Sequence, residues 1–196
     1  MVLNTLSGRF LLLTVAFVML AEVFIFVPSV ARFRQDYLLS RLERAQIAAL
    51  ATLTTEDMID DALEAELLEN AGVFNVVLRR DQMSQLVLSS PVPGEVHAAF
   101  DLRDPGGAEL MRDAMVRLLD PENRIIRVLG HPVRGAGLAI EVTMETAPLR
   151  AAMIDYGLRI LALSAVISVI TAFLLFLAVR RLMVSPIKRV VAAMQS

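Results

Sequence analysis

Two long apolar stretches stand out along the chain, Phe10 to Ala31 and Ile160 to Val179. The first holds 18 apolar residues in 22 and is broken by Thr14, Glu22, Pro28 and Ser29. The second holds 17 in 20, with only Ser164, Ser168 and Thr171 between them and no charge. At about 1.5 Å per residue these runs reach roughly 33 and 30 Å, enough to cross a hydrocarbon core of about 30 Å. The pattern therefore predicts two transmembrane helices, 10–31 and 160–179, flanked by termini 1–9 and 180–196 and separated by segment 32–159. Ser29-Val30-Ala31 also fits a small-x-small cleavage site. The run is longer than a secretory signal core of about 7–15 residues and contains Pro28, which favours a retained anchor over cleavage after Ala31. Glu22 is either a neutral carboxyl near one leaflet or a functional intramembrane group.

Between the runs the periodicity changes repeatedly. Leu38, Leu42, Ala45, Ala49 and Leu53 recur on one helical face, which extends the first helix to about Leu53. Thr54 offers an N-cap with Asp57 three residues on, and the spacing predicts a helix over 55–71 that stops at Gly72. Val73–Leu78 and Gln85–Ser89 are predicted as strands around a polar turn at Arg79, Arg80, Asp81 and Gln82. Pro91, Pro93 and Gly94 open a predicted loop that extends to Gly107. Leu110, Met111, Ala114, Met115, Leu118 and Leu119 line a helix that Pro121 ends. A third strand covers 124–129, and Arg134-Gly135-Ala136-Gly137 is a hairpin signal. Leu138, Ile140, Val142 and Met144 then alternate with smaller or polar residues, as in a half-buried strand. Pro148 starts a helix that continues into the second span. Antiparallel hairpins with helices on one face make an α+β domain.

Composition sharpens this picture. The 196 residues are 56% hydrophobic and 20% charged, with no Cys, no Trp and a formal net charge of −2. Such a chain is neither disordered nor disulfide-stapled, and two spans are too few for a polytopic transporter. Segment 32–159 carries 14 Arg and 20 acids. The tail after the second span carries Arg180, Arg181, Lys188 and Arg189 with no acid. Positive charge stays on the cytoplasmic side, so both termini are predicted cytoplasmic and 32–159 external. The bias of 18 Arg to 1 Lys points to a bacterium with a GC-rich genome. The expected location is then the bacterial inner membrane with a periplasmic middle segment. No nucleic-acid partner and no cofactor are expected.

Candidate chemistry is sparse. There is no Cys nucleophile, no Gly-rich phosphate loop and no metal motif. His97 and His131 stand alone beside Pro and Gly residues, and no metal site is assigned. The acidic cluster includes Asp57, Asp60, Asp61 and Glu64. It is a candidate for cation contact, but a solvated helix face whose first-turn acids suit the helix dipole is the favoured reading. Arg79 and Arg80 are candidate contacts for a polar ligand, or a solvated turn. Loop 90–107 is long enough to lid a pocket or to serve as a plain connection.

The most specific pattern closes the sequence: Val179-Arg180-Arg181-Leu182-Met183-Val184-Ser185-Pro186-Ile187-Lys188-Arg189-Val190-Val191-Ala192-Ala193-Met194. Ile187, Val190, Val191 and Met194 fall at i, i+3, i+4 and i+7, and Pro186 suits the first turn of a helix. A span, a basic connector and Pro186-Ile187 resemble the start of a HAMP linker, the relay module of bacterial sensor histidine kinases and chemoreceptors. The element order of 32–159 resembles their PAS-like Cache sensor domains.

The resemblance implies a homodimer and a periplasmic stimulus of unknown identity, either a small ligand or an envelope signal. It also implies a relay through Arg180, Arg181, Pro186, Ile187, Val190 and Met194. The output would be a kinase region and response regulator beyond this chain, which itself would not be an enzyme. Leu149, Met153 and Tyr156 prolong the apolar spacing of the second span toward the sensor, either as part of that relay or simply as cover for the sheet. The alternative function is a non-signalling membrane-anchored periplasmic adaptor, with the basic tail attracting anionic lipid.

Overall fold

The computed structural model describes the backbone of residues 6–53, 60–80, 83–132 and 139–179, with side chains for 16–52, 60–79, 86–132 and 139–174. Its elements are α1 (Leu6–Leu53), α2 (Asp61–Ala71), β1 (Asn75–Arg80), β2 (Met83–Ser89), β3 (Val96–Asp101), α3 (Gly107–Leu119), β4 (Ile125–Gly130), β5 (Ala139–Glu145) and α4 (Ala147–Val179). They form two units, Met1–Tyr156 and Gly157–Ser196. The first is an α+β domain with a five-stranded mixed sheet. In the second, the described part is the apolar portion of α4.

The helical stripe of α1 goes where its spacing directs it. Leu38, Leu42, Ala45 and Ala49 are buried in the core, and Val30 extends the same face. Earlier in α1 the large apolar side chains are open: Phe17 is 63% exposed and Phe24 71%. In α4 the same holds for Val169, Phe173 and Leu174. Both helices are long and apolar enough to cross a membrane, and a lipid phase covers such surfaces at no hydrophobic cost. Pro28 lies inside α1, and beside it the Ser29 hydroxyl donates to the Ile25 carbonyl at 2.7 Å.

The second helix begins later than the sequence predicts. Asp60 is extended at φ −63°, ψ 138°, so the helical turns start at Asp61 rather than residue 55, with Asp61 and Glu64 in the first turn. Thr54 and Asp57, the expected capping pair, lie outside the described residues. The C-terminal end matches its signal. Gly72 adopts φ 68°, its N–H donates to the Glu69 carbonyl at 2.9 Å, and Val73 N–H donates to Leu68 at 3.1 Å. This is a Schellman closure of the last turn.

Strand order in the sheet is β2-β1-β5-β4-β3. Three pairings are antiparallel, but β3 pairs parallel with β4, Phe100 opposite Val128. This corrects two expectations. The segment 90–107 is not all loop, because Val96–Asp101 is an edge strand. Nor is the sheet purely antiparallel, since α3 supplies the crossover that a parallel pair requires. The Pro and Gly residues on both sides mask the short alternation of Ala98 and Phe100.

A third correction concerns β5, which is buried on both faces from Ala139 to Met144. It occupies the centre of the sheet, so neighbours on each side cover even its polar positions. Its Ile140, Val142 and Met144 join Val76, Leu78, Leu88, Ile126 and Val128 in one core with the helices. At the alternate positions, Glu141 lies 3.3 Å from Arg79 and 3.0 Å from Arg127. Alternation puts that charged ladder on the face opposite the helices. Leu149 and Met153 are fully buried in the same core, while Tyr156 stacks on Phe33 with ring centroids 4.3 Å apart. Leu149 and Met153 thus cover the sheet. The hairpin signal 134–137 lies outside the described residues.

Candidate functional site

Arg34 follows the first apolar run by three positions and shares a helical face with Val30 and Leu38. The spacing that directs those two into the core takes Arg34 with them, leaving it only 2% exposed. Its guanidinium carbon stands 4.5 Å over the Phe100 ring of β3. The Nε has no hydrogen-bond partner. Among the described residues no carboxylate lies within ion-pair distance of Arg34. Burial pulls its pKa below the ordinary arginine value, the Asp113 charge opposes that pull, and Arg117 reinforces it. A buried cation outside any ion pair carries a large desolvation cost, which selects for something that supplies further negative charge.

Across from Arg34, α3 and the β4 approach provide a second set of cations. Arg117, 8% exposed, donates through Nη1 to the Thr146 hydroxyl at 2.8 Å. Its Nη2 donates to the Glu122 carbonyl at 2.8 Å and to the Asp120 carbonyl, while its Nε has no partner. The Thr146 hydroxyl also accepts the Arg124 N–H at 2.9 Å. Arg124 pairs with Asp120 at 3.1 Å and with Glu122 at 2.8 Å, and it contacts the His97 ring nitrogen. Asp113 is held by the neighbouring Arg112 at 3.0 Å.

These groups surround a cavity of about 220 Å³. Ala98, Phe100, Val116, Ile126 and Leu149 supply its apolar wall, and three arginines and two aspartates also line it. The balance of the lining is one positive charge, and Arg34 and Arg117, both buried, are its arginines outside any ion pair among the described residues. The arrangement can receive a small anion with an apolar body. A larger cavity of about 330 Å³ lies between α1 and α2. There the cation is already engaged: Arg41 donates to the Ala71 carbonyl at 3.0 Å and to the Tyr37 hydroxyl at 2.8 Å.

Those site residues expected from sequence that are described lie elsewhere. Arg79 pairs with Glu141 on the charged face of the sheet. Arg80 ends β1, and its side chain is outside the described set. Asp60 caps α2 without a side-chain hydrogen bond, and Asp61 sits in the first turn. The Glu64 carboxylate accepts the Ser89 N–H at 2.7 Å. Among the described residues no group of three or more potential metal ligands comes together. Asp57, Arg180, Arg181, Pro186, Ile187, Val190 and Met194 lie outside the described residues.

Sequence reasoning missed Arg34 and Arg117. The available signal was helical spacing, which places Arg34 four residues from both Val30 and Leu38, and Arg117 three residues from the buried Ala114. The chain matches no family model, no curated protein and no solved structure.

Proposed function

We propose that the chain is the transmembrane signal-input module of a two-component sensor histidine kinase. Segment 32–159 senses a periplasmic stimulus in a PAS-like, Cache-type domain. The second span passes the change to a HAMP linker that begins near Arg180 and uses Pro186, Ile187, Val190 and Met194. The chain works as a homodimer in the bacterial inner membrane with both termini cytoplasmic, and the phosphotransfer machinery lies in a kinase region beyond it.

The observation that carries this reading is α4. This single helix begins at Ala147, directly after the central strand β5, and includes the whole of the second apolar run. Its first turns hold Leu149 and Met153, both fully buried in the sensor core. A change in that core therefore acts on the same hydrogen-bonded helix that enters the apolar run, and helices transmit displacement because their ladder is stiff. A ligand drives such a change only to the extent that it binds the two states differently.

Grafting residues 1–196 onto the remaining HAMP helix and kinase core of a sensor kinase with a measurable output tests the proposal. The graft is expected to autophosphorylate in membrane vesicles, and Pro186→Ala is expected to alter its basal level. A graft that inserts and dimerises yet has no kinase activity, or one indifferent to Pro186→Ala, counts for the adaptor alternative. Topology is tested separately, because the chain has no cysteine and an introduced one is unique. Ser90→Cys is expected to react with an impermeant maleimide from the periplasmic side and Ser196→Cys only after lysis; the reverse pattern overturns the orientation.

A further inference from the structure

We infer that the Arg34 cavity is a binding site for a small monocarboxylate with an apolar body, held by Arg34 and Arg117 over the Phe100 ring. The inference deepens the signal-input reading and rests on it for its consequence, though the binding itself is independent of kinase output.

Charge selects the ligand's sign. Of the cationic groups around the cavity, Arg124 is paired with two carboxylates, and Arg117 has both terminal nitrogens on oxygen acceptors. Arg34 remains, 2% exposed, with Nε unpartnered, the Phe100 face beside it and the Asp113 charge near but outside ion-pair distance. A planar guanidinium matches a carboxylate with two parallel N–H···O bonds. The Arg117 Nε is a further unpartnered donor from the facing helix. Asp113 and Asp120 also line the cavity, so a dianion would meet about twice the repulsion that a monoanion does.

Volume and walls select the rest of the molecule. A dry cavity of about 150 Å³ accommodates a benzene ring. The additional space in a cavity of about 220 Å³ equals roughly two water volumes of about 30 Å³, which suits one carboxyl group. Phe100, Val116, Ile126 and Leu149 offer the ring or a short alkyl chain an apolar surface. Benzoate is the simplest molecule with both parts.

Location gives binding its consequence. Arg34 belongs to α1 just past its apolar run, Arg117 to α3, and Leu149 to the first turns of α4. A carboxylate here neutralises the cation that α1 carries into the core and ties α1 to the elements from which α4 departs.

The test titrates benzoate into the full chain in phosphatidylcholine nanodiscs by calorimetry, beside benzyl alcohol, inorganic phosphate and the variants Arg34→Met, Arg34→Lys and Arg127→Ala. One saturable site per chain is expected for benzoate. Benzyl alcohol, which lacks the charge, is expected to bind about tenfold or more weakly, and Arg34→Met to lose a similar factor. Arg34→Lys, which keeps charge but not the fork, should fall between, and Arg127→Ala on the opposite sheet face should match the parent. The benzyl alcohol comparison needs no variant, so it decides the charge requirement even if Arg34→Met fails to fold.

No saturation by benzoate up to roughly 10 mM, equal affinity for benzyl alcohol, undiminished binding by a folded Arg34→Met, or tighter binding of phosphate each overturns the assignment. Benzoate that binds as expected but leaves the grafted kinase unchanged counts against the signal-input reading and leaves the site intact. A graft that signals while benzoate fails to bind rejects the site alone.

Discussion

The Arg34 guanidinium carbon stands 4.5 Å from the centroid of the Phe100 ring. That contact joins α1, where it leaves its apolar run, to the edge strand β3, and with the Asp113 charge it offsets part of the cost of burying Arg34. A cation over an aromatic face is worth about 0.5–2 kcal/mol, more as water is excluded. Phe100→Leu preserves most of the apolar volume and is expected to destabilise the domain by about 1–2 kcal/mol, read from the denaturant midpoint of the chain in detergent. Arg34→Met removes a buried charge that lacks an ion pair and is expected to leave stability unchanged or raise it by about 1 kcal/mol. In that background Phe100→Leu should cost less than in the parent; an equal cost would show that the ring serves only as packing.

Gly72 closes α2 at φ 68°, a region where a Cβ is penalised. A Cβ there would also overlap the Arg41 guanidinium. Gly72→Ala is expected to cost about 1–2 kcal/mol. In an Arg41→Ala background the overlap disappears while the backbone penalty stays. The double-mutant cycle in thermal or chemical unfolding should therefore show partial rescue.

Asp101 is gripped by Arg103, whose Nε and Nη2 reach its carboxylate at 2.9 and 2.6 Å and whose backbone N–H donates at 3.0 Å. The side-chain bond, with help from the backbone N–H, lowers its pKa from 3.8 to about 2. A folded value below the unfolded one means the pair stabilises above about pH 3.8. The contribution declines as pH falls through about 2. Both side chains are nearly half exposed, so the gain is small and weakened by salt. Carboxyl carbon NMR should place the Asp101 midpoint near 2, and Arg103→Ala should return it toward 3.8. Asp120 should titrate low as well, held down first by the Glu122 N–H and then by Arg124.

Glu141 is 8% exposed and shared between Arg79 and Arg127. Removing one arginine leaves the carboxylate paired, so Arg79→Ala and Arg127→Ala should each cost under about 1 kcal/mol. Removing both strands a buried charge, and the double variant should lose more than the sum, by about 1–2 kcal/mol. Strict additivity in urea titrations would mean that solvent already screens the ladder.

Local patterns were readable wherever a residue's neighbours in sequence settle its conformation. The stripe Leu38, Leu42, Ala45 and Ala49 needed only helical periodicity, and Gly72 needed only the absence of a Cβ. At the other end of α2 the extended backbone at Asp60 sets the first helical turn at Asp61 rather than at residue 55. The strand Val96–Asp101 was missed because edge strands are short and its flanks are rich in Pro and Gly. Only pairing with β4 makes it a strand.

By itself the sequence determined the two long apolar helices, the α+β character of the segment between them, the end of α2 at Gly72 and the start of α4 after β5. Each follows from short-range periodicity or from a backbone preference of one residue. Tertiary structure alone decided that β5 is central and buried on both faces, that Glu141 is clasped by two arginines, and that Arg34, Arg117 and Phe100 meet around one cavity. These outcomes depend on which distant segments become neighbours. An arginine reads as solvated from its own sequence until the fold shows which side of the helix faces the core.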